Sequence, residues 1–160
     1  MKVTDTHVYF WKGFLSQWTV DPFEEYGVKF PTCEHFMMYR KALLFKDYDV
    51  AKKVLETDAQ HEVKALGRQV KNFDPVVWDR CKEEIVFRGN YLRFSQNAES
   101  YRKLMKYTTQ KFVEASPFDN IWGVGLEEND PRILDEANWT GQNLLGNVLT
   151  ELRNQFLKEY

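Results

Sequence analysis

Three segments of this 160-residue chain gather side chains able to do chemistry. Glu34 stands two residues after Thr32, a good helix N-cap, so its carboxylate falls in a first turn. Helix-end amides and the macrodipole favour negative charge there. An ionised Glu in that place can act as a base, a nucleophile or a stabiliser of a cation. Acids also sit in first turns for helix stability alone, and both readings stay open. Lys64 and Arg68 lie at i and i+4 in a helical stretch with Lys71 nearby. They can grip one phosphate together or form an exposed basic face. From Glu114 to Gly125, two acids (Glu114 and Asp119), Trp122, Gly123 and Gly125 crowd into a Pro/Gly-bounded loop. Glycine lets backbone approach a ligand, and loops held by a scaffold carry sites. Site and plain turn weigh evenly here.

Other chemistries lack their residues. His7, His35 and His61 have no metal-ligand spacing, and Cys33-x-His35 alone falls far short of a zinc site. The two cysteines, Cys33 and Cys81, suggest neither a disulfide framework nor a paired metal site. No G-x-S-x-G, H-E-x-x-H, P-loop or dinucleotide fingerprint occurs. Neither a metal nor a redox cofactor is expected.

The elements that must position these groups are mostly helical. Thr32 caps a helix beginning CEHFMMYRKALLF; Asp47 and Asp58 can cap two short helices, the second ending near Gly67. Asp74-Pro75 opens the best helix, about Val76 to Phe94, which Gly89 weakens near its middle. Asn97 is expected to cap another helix, through Leu104 and Met105. An amphipathic helix over Asn143–Tyr160 closes the chain, with Leu144, Val148, Leu149, Leu152 and Phe156 on one face. Strand signals are short. Gln17–Val20 and Gly27–Phe30 flank Asp21-Pro22 as a hairpin-like pair, and Lys111–Ala115 reads as a strand. The pattern predicts a predominantly helical α+β fold in one domain over residues 1–160, with short strands near the N-terminus and around residues 111–126.

Composition narrows the ligand. Five Trp, eight Tyr and twelve Phe exceed what a core of this size usually requires, so a few rings are available to line a pocket for a planar ligand. The net charge of −2 excludes a whole-protein electrostatic nucleic-acid binder. Charge is uneven: residues 40–106 carry fifteen Lys/Arg against ten Asp/Glu, whereas residues 112–160 carry three against nine. No apolar run approaches bilayer-spanning length and the first residues lack a signal peptide's apolar core, so a cytoplasmic location with no membrane partner is expected.

Several blocks, in order, resemble the YbiA-like (NADAR) N-glycosidases. Phe30-Pro31-Thr32-Cys33-Glu34-His35, Lys41-Ala42, Lys64-Ala65-Leu66-Gly67-Arg68 and Trp78 with Arg80 carry the first half. Phe94-Ser95-Gln96-Asn97, Glu114 through Gly125, and Trp139-x-Gly141-x-Asn143-Leu144-Leu145-Gly146 with Arg153 carry the second. Cys33 stands where the family has a small residue, Arg93 where it has Lys, and Met38-Tyr39-Arg40 departs from its pattern beside the proposed catalytic residue.

The resemblance implies a YbiA-like domain that hydrolyses a base–ribose N-glycosidic bond without a cofactor. Carried over by motif position, Glu34 and Asp119 are catalytic. Trp78, Trp122, Lys41, Arg68, Glu114, Gly123 and Asn143 bind the substrate. Glu34 would activate water and stabilise the oxocarbenium-like sugar, and the two Trp would stack on the base. The implied substrates are a small nucleotide, such as a riboflavin-pathway ribosylaminopyrimidine phosphate, or ADP-ribosylated guanine, which extends the possible partners to ADP-ribosylated DNA. A non-catalytic NAD/ADP-ribose-type binding module is the alternative.

Overall fold

The computed structural model describes residues 1–159. Its six α-helices and five short strands match the mainly helical α+β expectation. By contacts the chain falls into two units, one formed by Met1–Ser16 with the chain from Glu99 onward, the other by Gln17–Ala98.

The Gln17–Ala98 unit is built around α1 (Cys33–Leu44), which touches α2 (Tyr48–Leu55), α3 (Gln60–Arg68) and α4 (Pro75–Gln96). Start signals are local and mostly behave as expected. Thr32 accepts the His35 amide, Asp47 accepts Val50, and Asp74 accepts Val76 and Val77 with Pro75 at the first position. Asp58 does not cap α3. The cap position is Ala59, and the Thr57 hydroxyl takes the Ala59 amide at 3.1 Å, so the ordering contact lies one residue earlier.

The hairpin is also displaced. Strands β3 (Phe23–Glu25) and β4 (Val28–Phe30) pair antiparallel around Tyr26-Gly27, not around Asp21-Pro22. Both turn residues have positive φ, 51° and 80°, which is what a two-residue turn matched to strand twist requires. Asp21 is used elsewhere: its Oδ2 accepts Arg93 Nε at 2.8 Å, and the Arg93 side chain is almost wholly buried. Asn97 stands where expected, between α4 and the helix Ala98–Leu104, and its side-chain amide donates to the Arg93 and Pro22 carbonyls.

The other unit contains the three-stranded sheet β1 (Lys2–Val3), β2 (His7–Phe10) and β5 (Lys111–Glu114), in that order. β2 and β5 run parallel, Val8 opposite Phe112 and Phe10 opposite Glu114. Helix α5 (Ala98–Leu104) precedes β5, and two single-turn 3₁₀ helices, Pro131–Leu134 and Glu136–Asn138, follow it. Tyr9, Val113, Ala115, Val124, Leu126 and Ile133 form a core cluster against which Trp139 rests. Helix α6 (Leu144–Glu159) lies on β5 and buries Leu145, Val148, Leu149, Leu152 and Phe156. Leu144, expected on that face, is only half-buried and is the first residue of α6. Tyr160 lies outside the described residues. No helix among them is long and apolar enough to cross a membrane.

Gly89 is explained by packing. A Cβ there would stand 2.7 Å from the Phe36 ring, which is fully buried on α1. The absent side chain lets α4 approach α1. Gly89→Ala gains about 1 kcal/mol of helix propensity and incurs about 1–3 kcal/mol of overpacking. Urea denaturation should show a net loss of about 1 kcal/mol; an unchanged or raised midpoint would mean the α1–α4 contact is looser than described.

Candidate functional site

Glu34 occupies the second position of α1 and is half-buried. Its amide donates to the Gln17 carbonyl at 3.1 Å, and the His35 amide is taken by Thr32 Oγ1 at 3.1 Å. These first-turn donors are therefore already used by the protein. The favourable field that remains for the Glu34 carboxylate is that of the helix as a whole. His35 is structural: its Nε2 donates to the Thr57 carbonyl at 2.7 Å, and its Nδ1 meets Thr32 Oγ1 at the same distance.

Behind Glu34 stands a buried amide pair. Asn90, with no exposed surface, exchanges two 2.9 Å hydrogen bonds with Gln17 and donates to the Val86 carbonyl at 2.8 Å. The Cys33 thiol points at the same Asn90 oxygen, 3.7 Å away. Burial pushes that thiol up to about 12, while the Arg93 guanidinium beside it pulls the other way. Gln17 therefore joins the strand-leading segment to α4, and its carbonyl fixes Glu34.

Glu34, Met38 and Lys41 share one helix face, spanning ~10 Å along the axis. Met38 fills the space left by Gly67, where a Cβ would lie 2.1 Å from its sulfur. Lys41 Nζ donates to the Gly67 carbonyl at 2.8 Å and lies 4.7 Å from the Phe73 ring centroid and 5.4 Å from that of Trp78. Burial holds the Lys41 ammonium below the ordinary lysine range. The structure thus brings Lys41 and Trp78 together on the unit that holds Glu34.

Arg68 is exposed in the last turn of α3, one helical turn after Lys64. Lys64 Nζ lies 5.5 Å from the ring of Trp18, next to Gln17. Trp18 escaped the sequence reading; its only signal was its place after Phe14-Leu15-Ser16-Gln17. Arg40, part of the departing stretch, turns away to Glu25 at 3.1 Å, where Arg88 also binds at 2.8 Å. The departure therefore serves the β3–β4 hairpin.

On the other unit, Asp119 Oδ1 accepts the Ile121 and Trp122 amides at 2.9 and 2.8 Å. This carboxylate shapes the loop that carries Trp122, which is half-buried. Gly123 permits close packing: a Cβ would sit 3.0 Å from the Asp119 and Glu114 carbonyls. Gly141 and Gly146 are closer still, 2.1 Å from the Gly123 carbonyl and 2.2 Å from that of Phe112.

Asn143 ties these segments. It is buried at positive φ (53°), and its Oδ1 accepts the Glu114 amide at 3.0 Å while Nδ2 donates to the Phe112 carbonyl at 3.1 Å. The side chain pairs with the open edge of β5 as a strand would. The Asn143, Leu144 and Leu145 amides then donate to the Gly123, Ile121 and Trp122 carbonyls. The start of α6 is thereby capped by the loop itself. Asn143 and Gly123 hold backbone in place, and Glu114 anchors the loop through its amide and through its carbonyl, which accepts Val124 at 3.0 Å.

Comparison with known proteins follows from this geometry. The NADAR domain profile matches residues 9–157. N-glycosidase R617 of Acanthamoeba polyphaga mimivirus is 43% identical over 88% of this chain and 86% of its own length. N-glycosidase YbiA of Escherichia coli is 26% identical over 92% of the chain and 83% of its own. The NMR structure of that bacterial protein superposes with a TM-score of 0.79 at 25% identity, covering 99% of this chain and 89% of its own. The chloroplastic riboflavin biosynthesis protein PYRR of Arabidopsis thaliana is 28% identical over 71% of the chain but only 18% of its own length.

Two outcomes test the geometry. Asn143→Ala removes both β5 contacts and a residue suited to positive φ; two lost hydrogen bonds predict a destabilisation of about 2–4 kcal/mol by denaturant titration. Cys33 stays protonated in the folded chain well above the ordinary thiol value of 9.0. Iodoacetamide near pH 8.5 should therefore label half-buried Cys81 first and Cys33 only on unfolding, as read by mass spectrometry. Because the folded value is raised, Cys33 favours folding below pH 9 and loses that contribution as pH climbs toward 12.

Proposed function

Because the chain belongs to the NADAR family and is a hydrolase acting on N-glycosyl compounds, we propose that its substrate is nucleotide-like and that Glu34 is the reacting carboxylate. The observation that carries this reading is the disposition of α1: a fixed first-turn carboxylate on the same helix face as a desolvated ammonium that lies beside Trp78.

The chemistry is a substitution by water at the anomeric carbon. The ribose C1′–N bond breaks with its electron pair leaving on the base, and the sugar becomes cationic as it does so. Glu34 stabilises that cation and takes a proton from the attacking water, whose oxygen forms the new bond to C1′. The departing nitrogen ends protonated. Trp78 offers a face for the planar base, and Lys41 places positive charge beside that face, suited to a phosphate or to a base gaining electron density. Arg68 supplies a further exposed cation for phosphate. Trp122 is assigned to base stacking and Asp119 to holding the turn that presents it, with its second carboxylate oxygen available for ribose hydroxyls or water. Glu114, Gly123 and Asn143 act as positioning residues through the backbone contacts described above.

Two substrates of this class fit: a ribosylaminopyrimidine phosphate, in line with the riboflavin-pathway name of the plant relative, and ADP-ribosylated guanine. Purified protein incubated with each should release a base or a sugar, followed by chromatography. Glu34→Gln should cut kcat by at least about a hundredfold while ligand affinity changes little, and Trp78→Ala should act mainly on KM. Normal hydrolysis by Glu34→Gln would remove that residue from the reaction; binding without release by the wild type would favour a binding module for nucleotides of the NAD/ADP-ribose type.

A further inference from the structure

Two arginines of this chain are almost wholly buried, and the fold treats them differently. Arg93 is 1% exposed and meets the Asp21 carboxylate at 2.8 Å. Arg153, on α6, is 2% exposed, and among the described residues no carboxylate pairs with it. Its Nε donates to Asn154 Oδ1 at 2.9 Å and its Nη1 to the Tyr107 carbonyl, while the guanidinium lies 5.2 Å from the Phe112 ring centroid. Among the described residues, Nη2 has no acceptor. Burial pulls the group below the ordinary arginine value with no acid pulling back, yet a guanidinium keeps its charge at any working pH. A buried charge without a counter-ion is costly, so the missing partner requires an explanation.

Arg153 lines a groove of about 750 Å³ at the amino end of β5. One wall is the segment leading into that strand, with the hydroxyls of Thr108 and Thr109, and the other is a polar face of α6 that ends at Lys158. Residues 112–160 hold only three basic side chains against nine acidic ones. Two of those three, Arg153 and Lys158, line this groove, with one of the nine, Glu151. Lys111 also borders it, its charge matched by Glu136 at 2.9 Å. Positive charge is thus gathered here within an otherwise acidic stretch of sequence. No aromatic ring belongs to the lining among the described residues.

We propose that this groove binds a phosphate group, carried by a small aliphatic ester or as the free ion, with Arg153 as its buried anchor and Lys158 as the cation at its rim. A guanidinium fork matches the oxygens of a phosphate, and the threonine hydroxyls can donate to those it leaves. Without a ring in the lining, a nucleotide base finds no stacking surface, which separates this ligand from the substrates of the reaction. The place differs too: the groove adjoins the amino end of β5, whereas the loop carrying Trp122 follows its carboxyl end. A phosphate held there would supply the counter-ion that Arg153 lacks and tie α6 to the residues that lead into β5. The inference stands apart from the N-glycosidase reading and survives or fails independently of it.

The test is a nitrogen–proton correlation NMR titration of the full chain with inorganic phosphate and with glycerol 3-phosphate, at an ionic strength held constant with sodium chloride. The amides of Thr108, Thr109, Gln110 and Asn154 should shift and saturate, with a dissociation constant of about 1 mM or below. Arg153→Lys keeps the charge but loses the planar fork, and should weaken binding at least about tenfold. Lys158→Glu, on the exposed rim, should weaken it at least about fivefold and keeps the test decisive if Arg153→Lys does not fold. A dissociation constant for glycerol 3-phosphate at least about tenfold below that of phosphate assigns the ester, and a smaller difference or none assigns the free ion; both support the site. No saturable shift at these amides, the same shifts with chloride alone, phosphate shifts confined to residues 17–98, or unaltered affinity in Lys158→Glu would overturn it.

Discussion

The carboxamide of Asn143 does the work of a missing strand. β5 is an edge strand, and its outward N–H and C=O groups would be left unpaired beneath α6 without partners. Asn143 answers with one acceptor and one donor, and Thr150 Oγ1 accepts the Phe112 amide at 2.9 Å. Because Asn143 also adopts positive φ, the chain turns there directly into α6, and the helix's first free amides fall on the loop that carries Trp122. The buried backbone polar groups, more than any single apolar contact, determine where that loop lies.

The Gln17–Ala98 unit meets the same constraint with a different amide. Asn90 on α4 and Gln17 exchange their side-chain hydrogen bonds, and the Gln17 carbonyl receives the Glu34 amide. Removing either amide would strand a buried polar group in a low-dielectric surrounding, which costs more than the bond itself contributes. Placing the candidate carboxylate at a helix start thus rests on a network in which each member is satisfied by another. The Arg93–Asp21 pair reinforces it: a nearly fully buried guanidinium is tolerable only with its charge matched and its N–H groups engaged.

Much of this was legible locally and little of it at long range. Asp74-Pro75 announced α4 because a cap and an N1 proline act within one turn. Thr32 and Asp47 were legible for the same reason. The hairpin was misplaced because Asp21-Pro22 looks like a turn, whereas the decisive property, two successive residues at positive φ, belonged to Tyr26-Gly27. Short strands were expected near the N-terminus, but β2 was not located: it is four residues long and buried on both faces toward its end, and its partner is far along the chain. For the site, residue identities carried further than residue roles. Glu34, Lys41 and Trp78 were named from motif order, and the structure sets Lys41 beside Trp78. Gly123 and Asn143 were named from the same motifs as substrate contacts, and the structure shows the backbone packing each of them makes. A motif records that a residue is required; it does not separate touching a ligand from holding the loop that does.

That distinction bears on how the chemistry is kept fixed. A carboxylate that stabilises a developing cation must not collapse onto the nearest donors before the substrate arrives. The Glu34 and His35 amides are taken by the Gln17 carbonyl and Thr32 Oγ1, which fixes the backbone of the first turn. Lys41 is restrained the other way. One N–H is spent on the Gly67 carbonyl, two rings flank the ammonium, and burial weakens its hold on the proton. Met38, seated against Gly67, spaces the carboxylate from the ammonium along one helix face and limits how far α1 can shift against α3. Glu34 and Lys41 both belong to α1, so the helix sets their spacing along its axis. Under the role proposed for Glu34, a ligand cationic at the sugar and anionic at the base or phosphate would meet groups whose backbone is already fixed, which lowers the reorganisation that binding demands.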